Sequence, residues 1–132
     1  MNAFDETPRD LSPQQVADML DSGDAQLIDV REPYEWDAGR IPGAVHIELE
    51  HLAGRSGEIE KEQKVIFQCR VGRRSALATE AFAASGYDAY NLAGGITAWV
   101  DAGLPIEPEG GHVAAHGPSA KIESTSFGES SE

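Results

Sequence analysis

The chain has 132 residues, a length for one domain plus a short appendage, and its 40 % hydrophobic and 25 % charged content is ordinary for a globular protein. Its lone cysteine, Cys69, excludes an internal disulfide and a multi-cysteine metal cluster, and no apolar run approaches the roughly 18–20 residues of a membrane helix. With 10 Lys and Arg against 23 Asp and Glu, the net charge of −13 disfavours phosphate backbones and anionic lipid, so neither nucleic acid nor membrane is an expected partner.

Residues 1–10 read as polar and loose. They lack the basic and apolar regions of a secretory leader, so the cytoplasm is the expected compartment. Ser12-Pro13-Gln14-Gln15 is a helix start, with Ser capping, Pro at the first helical position and Gln closing a capping box. Val16, Met19 and Leu20 form the apolar face, and Gly23 stops the helix. Gln26 to Val30 predicts a buried strand, Pro33 to Gly39 one or two helical turns, and Val45 to Ile47 a short extended piece. A weak helix is expected around Leu49 to Ala53. Lys64-Val65-Ile66-Phe67-Gln68-Cys69 is the clearest strand, and without polar alternation it should be covered on both faces. Arg73 to Ser85, rich in alanine, predicts a helix ended by Gly86. Ala89 to Leu92 predicts another strand, and Gly94-Gly95 opens a last helix stopped by Gly103 and Pro105. Strands alternating with helices give an α/β class with a mainly parallel sheet. From Glu107 the chain turns Gly- and Ser-rich with five Glu and one Lys, so the division is a domain over 1–106 and an acidic, flexible tail over 107–132. His112 and His116 fall in that tail and read as solvated side chains rather than ligands. No metal motif is present.

The segment from Gln63 to Thr79 holds 17 residues and no acid, yet contains Lys64, Arg70, Arg73, Arg74 and the only cysteine. Cys69 ends a strand and a helix begins just after it. A nucleophilic cysteine acts as thiolate, and an ordinary thiol is only about 3 % ionised at neutral pH. A helix N-terminus offers unpaired N–H groups and a positive dipole end, three arginines add full charge, and Gly72 lets successive N–H groups turn toward one point. All these favour an anionic sulfur or a bound oxyanion. Persulfide sulfur transfer, phosphate- or arsenate-type transfer and thiol redox chemistry remain open on these residues. A dithiol cycle would need an outside thiol.

Cys69-Arg70-Val71-Gly72-Arg73-Arg74-Ser75 resembles the Cys-Arg-x-Gly-x-Arg-Ser active-site loop of single-domain rhodaneses, the thiosulfate sulfurtransferase family. Ile28-Asp29-Val30-Arg31-Glu32 with Glu35-Trp36 and Gly39-Arg40-Ile41-Pro42-Gly43-Ala44 resembles the family's N-terminal signature. Tyr90-Asn91-Leu92, Gly94-Gly95-Ile96, Ala98-Trp99 and Ala102-Gly103-Leu104-Pro105 resemble its C-terminal one. Arg40 departs from the His usual there and is taken as structural.

The resemblance implies a rhodanese-like three-layer α/β/α fold around a mainly parallel sheet. It implies a sulfurtransferase that carries sulfane sulfur from thiosulfate or a similar donor, through a Cys69 persulfide, to cyanide or a thiol, with no cofactor. A thioredoxin-like or other thiol protein is the macromolecular partner it suggests. Backbone N–H groups from Arg70, Val71, Gly72, Arg73, Arg74 and Ser75 would hold the outer sulfur. Arg70 and Arg74 are expected to engage the anionic donor, with Arg73 between a surface and a substrate role. Asp29, Arg31 and Glu32 are expected as structural support, the last two through ion pairs, and Trp36 and Trp99 as core. Related dual-specificity phosphatases and arsenate reductases use a loop one residue longer, so the shorter loop here favours sulfur. A non-catalytic binding, regulatory or sulfur-carrier module is the other alternative.

Overall fold

The computed structural model describes residues 9–116. In chain order the elements are β1 (Asp10–Leu11), α1 (Pro13–Asp21), β2 (Ala25–Asp29), α2 (Pro33–Ala38), β3 (Val45–His46), two 3-10 turns (Leu49–His51 and Ala53–Glu58), β4 (Lys64–Gln68), α3 (Arg73–Ala84), β5 (Ala89–Leu92) and α4 (Gly95–Asp101). The five strands form one sheet in the order β1-β5-β4-β2-β3, every pairing parallel.

Alternate residues of the two longest strands face opposite ways, and each face is apolar. Ile28, Val65 and Phe67 join Ile47, Leu52, Ala78 and Phe82 in one buried cluster beneath α3 and the 3-10 turns. Leu27 and Ile66 join Val16, Ile41, Leu92, Ile96 and Trp99 in the other, beneath α1 and α4. This is the three-layer α/β/α arrangement. Among the described residues no helix is long and apolar enough to cross a membrane.

The helix starts follow local chemistry. Ser12 accepts from the Gln15 N–H at 3.1 Å, and the Gln15 side chain accepts from the Ser12 N–H at 2.9 Å, which is the expected capping box.

Four expectations change. Asp10, placed in the loose N-terminal stretch, lies in β1 and pairs with Asn91 of β5; a two-residue strand has no periodicity to read. Residues 1–8 lie outside the described residues. Trp36 is only half-buried, set between His46 (ring centroids 4.9 Å, nearly parallel) and the Arg40 guanidinium (5.1 Å), whereas Trp99 is core and donates to the Pro105 carbonyl at 2.8 Å. Glu32 is exposed and makes no ion pair among the described residues; its backbone N–H donates to the Glu35 carboxylate at 2.9 Å at the head of α2.

The fourth change concerns the boundary drawn at 106. Arg40 and Glu107 exchange backbone hydrogen bonds, both at 2.8 Å, and the His112 N–H donates to the Ala38 carbonyl at 2.9 Å. Val113 packs against the α1/α4 cluster. Gly39 makes the close approach possible, because a Cβ there would lie 2.5 Å from the His112 carbonyl oxygen. The packed chain therefore continues past the expected boundary. Of the expected tail, residues 117–132 lie outside the described residues.

Candidate active site

β4 runs directly into Cys69, and α3 begins at Arg73, so residues 69–72 make a tight loop at the strand's C-terminal end. Gly72 caps α3 with φ of 99°, a left-handed conformation that favours glycine, and a Cβ there would also crowd the Gly94 nitrogen at 3.2 Å. The second restraint comes from α4. The Ile96 N–H donates to the Cys69 carbonyl at 2.8 Å, and the Thr97 N–H to the Arg70 carbonyl at 3.1 Å. Two loop carbonyls are thus tied to the start of α4. Gly95 permits this contact, since its φ is 62° and a Cβ would meet the Cys69 oxygen at 2.3 Å.

The Cys69 Sγ accepts from the Gly72 N–H at 3.2 Å and the Ser75 N–H at 3.4 Å, and lies 3.4 Å from the Ser75 Oγ. The other N–H groups in the first turn of α3 have no intrahelical acceptor, as at any helix start. Cys69 is buried but forms the floor of an open pocket of about 660 Å³, lined also by Arg70, Val71, Arg73, Arg74 and His116.

A polar chain reaches the sulfur from the edge of the sheet. The Asn91 amide donates through Nδ2 to the Asp10 carboxylate at 3.0 Å and to the Gly72 carbonyl at 3.3 Å. That fixes its Oδ1 toward Ser75, whose hydroxyl donates to it. In the sequence Asn91 is only one member of a family signature and Asp10 part of a loose end. Neither carries a signal of its own, because their partners are distant along the chain.

The arginines divide. Arg74 forms a two-pronged ion pair with Glu35, both contacts 2.9 Å, and Glu35 is fully buried. Burial opposes ionisation of Glu35, but the Arg74 hydrogen bond, the Glu32 N–H, the Arg74 charge and a smaller pull from His116 outweigh it, holding the carboxyl below its ordinary range. Burial likewise opposes the charge on Arg74, and Glu35 outweighs it, so the guanidinium titrates above its ordinary value. Arg74 therefore stands in the pocket wall with its charge already matched by Glu35. Arg70 and Arg73 make no ion pair among the described residues, and the Arg70 Nε is buried with no partner there. Val71 is on the exposed rim.

Asp29 and Arg31 are both fully buried and form a second two-pronged pair, at 2.9 and 2.7 Å. Arg31 also donates to the Gly39 carbonyl at 2.8 Å. His116, expected as a solvated tail residue, is exposed and also lines the pocket over Cys69. Away from the thiol, Glu48, Glu50 and His51 bring one ligand atom each within 4.8 Å of one another on a surface turn, an arrangement common without an ion.

The arrangement presents one sulfur at a helix start, in a pocket that Arg70 and Arg73 also line. Residues 12–102 match the family model for a rhodanese-like domain. The chain is 40 % identical over 94 residues to a sulfurtransferase of Allochromatium vinosum, covering 70 % of this chain and 88 % of that one. It is 30 % identical to the thiosulfate sulfurtransferase GlpE of Glaesserella parasuis, covering 79 % and 97 %. The longer "Probable adenylyltransferase/sulfurtransferase MoeZ" of Mycobacterium tuberculosis is matched at 39 % identity, and there the chain spans only 24 % of the relative's length. Among solved structures, a rhodanese-like domain protein from Staphylococcus aureus superposes with a TM-score of 0.67 at 32 % identity, covering 76 % of this chain and 99 % of that one.

Proposed function

Because this chain belongs to the rhodanese-like domain family of sulfurtransferases, we propose that it moves sulfane sulfur from thiosulfate or a similar anionic donor to a thiol or cyanide through a persulfide on Cys69. The observation that carries this reading is the pair of backbone N–H groups, from Gly72 and Ser75, aimed at a single sulfur in a pocket lined by Arg70 and Arg73.

The cycle has two displacements. The Cys69 thiolate attacks the outer sulfur of thiosulfate; the new Sγ–S bond forms as the donor's S–S bond breaks, and sulfite leaves with the electron pair. An acceptor thiolate or cyanide then attacks the outer sulfur of the persulfide. The Sγ–S bond breaks toward Cys69, which regains its thiolate, and the product is a new persulfide or thiocyanate. First-turn N–H groups of α3 hold the outer sulfur in between, as oxyanion-hole donors do. Arg70 and Arg73 receive the anionic part of the donor, and no cofactor enters any step.

Phosphoryl or arsenate chemistry is the poorer fit. It would ask Arg74 to grip a tetrahedral oxyanion, and both arms of its guanidinium are engaged by Glu35. A thiol nucleophile of this kind suits a reducing compartment, and a thioredoxin-like or other thiol protein is a fitting acceptor. Intact-protein mass spectrometry after incubation with thiosulfate should show one added sulfur on the wild type and none on Cys69→Ser. Thiocyanate formation by the serine variant at near wild-type rate would overturn the assignment.

A further inference from the structure

The family-matched region ends at residue 102, yet the pocket over Cys69 has a wall from beyond it. After the Arg40–Glu107 pairing the chain turns, with the Gly111 N–H donating to the Pro108 carbonyl at 2.8 Å, and returns along α2. A Cβ on Gly111 would lie 2.9 Å from the Ala38 carbonyl oxygen and one on Gly39 2.5 Å from the His112 carbonyl oxygen, so the two backbones are in contact at both glycines. Val113 is packed on the core. Three residues later His116 reaches the pocket mouth beside Arg70 and Arg73.

We propose that His116 is a substrate-positioning residue, holding the anionic group of the sulfur donor in the pocket together with Arg70 and Arg73. The proposal names a residue for the same pocket and so rests on the sulfur-transfer reading. The groups facing this imidazole are Cys69, Arg70, Arg73 and Arg74 from the loop and α3, and Glu35 from α2. Glu35 is matched by Arg74, so the field left at the mouth is cationic. An imidazole there adds an N–H donor in either tautomer, and charge when protonated. An anion seated on Arg70 and Arg73 then meets a third polar side chain of the same pocket.

The test uses the full chain with His116→Ala, His116→Lys and His116→Glu. Cys69 is alkylated in parallel with iodoacetate, an anion, and iodoacetamide, its neutral counterpart, so the ratio of the two rates reads charge at the mouth independently of sulfur transfer. The ratio should fall by about threefold or more in His116→Glu and hold or rise in His116→Lys. The KM for thiosulfate should rise in the order Lys, Ala, Glu while kcat stays within about twofold. A ratio unchanged across the three variants, or both reagents changing together, would overturn the proposal. A wild type that takes up no sulfur while the ratio follows the expected order would sink the sulfur-transfer reading and keep the anion contact.

Discussion

The hydroxyl of Ser75 has one proton and two neighbours that can use it, the Asn91 carbonyl and the Cys69 sulfur. With the proton on Asn91, a lone pair faces the thiol; with it turned inward, the hydroxyl supports an anionic sulfur. Ser75→Ala removes both options and should slow persulfide formation by about tenfold, the worth of one hydrogen bond to a charged group, without unfolding the domain. Stopped-time mass spectrometry of the persulfide checks this. The arginines should separate just as cleanly. Arg70→Ala should raise the KM for thiosulfate and leave stability within about 0.5 kcal/mol. Arg74→Ala leaves Glu35 buried and unmatched, and should cost about 3 kcal/mol in urea unfolding. The cysteine loop and the Asp29–Arg31 neighbourhood are legible in the sequence because each is contained within a few residues. The Glu35–Arg74 pair spans 39 positions and the Asp10–Asn91 bond 81, and nothing in a linear chain marks partners so far apart.

Among the elements, α2 has the widest reach. Its buried Glu35 holds the first turn of α3, while its last residues carry the returning chain at His112. Since the Glu35 carboxyl sits below its ordinary range when folded, the stability it contributes is complete above the unfolded value, about pH 4.3, and is lost as pH falls through the lower folded one. Glu35→Gln should therefore cost about 2 kcal/mol at neutral pH, with the gap to wild type narrowing below about pH 4 in acid titrations followed by circular dichroism. The start of α4 offers a steric test. Gly95→Ala drives a methyl into the Cys69 carbonyl and should abolish sulfur uptake even where helical content survives. In the sequence the glycine pair marks only a helix opening. Its purpose, close contact with the cysteine loop, depends on the crossover that brings α4 back over β4, which only the folded sheet displays.

For the molecule as a whole, order in the described chain reaches beyond the segment that resembles a family. Composition alone sets a boundary at 106, because Gly, Ser and Glu dominate the residues beyond it. Residues 107–113 are held instead by backbone pairing to Arg40 and Ala38 and by one apolar side chain, Val113, and composition registers neither. Ending the chain after Ile106 should lower the unfolding free energy by about 1–3 kcal/mol, from lost hydrogen bonds and the uncovered core beneath Val113, measured by thermal melting.

The sheet's two outer strands, β1 and β3, are each two residues long. An unpaired strand edge is a template on which a foreign strand can add, and the danger grows with its length. Among the described residues a second chain finds almost no ladder to extend. Within the described residues, growth of a fibril by edge addition is thereby left with little starting surface.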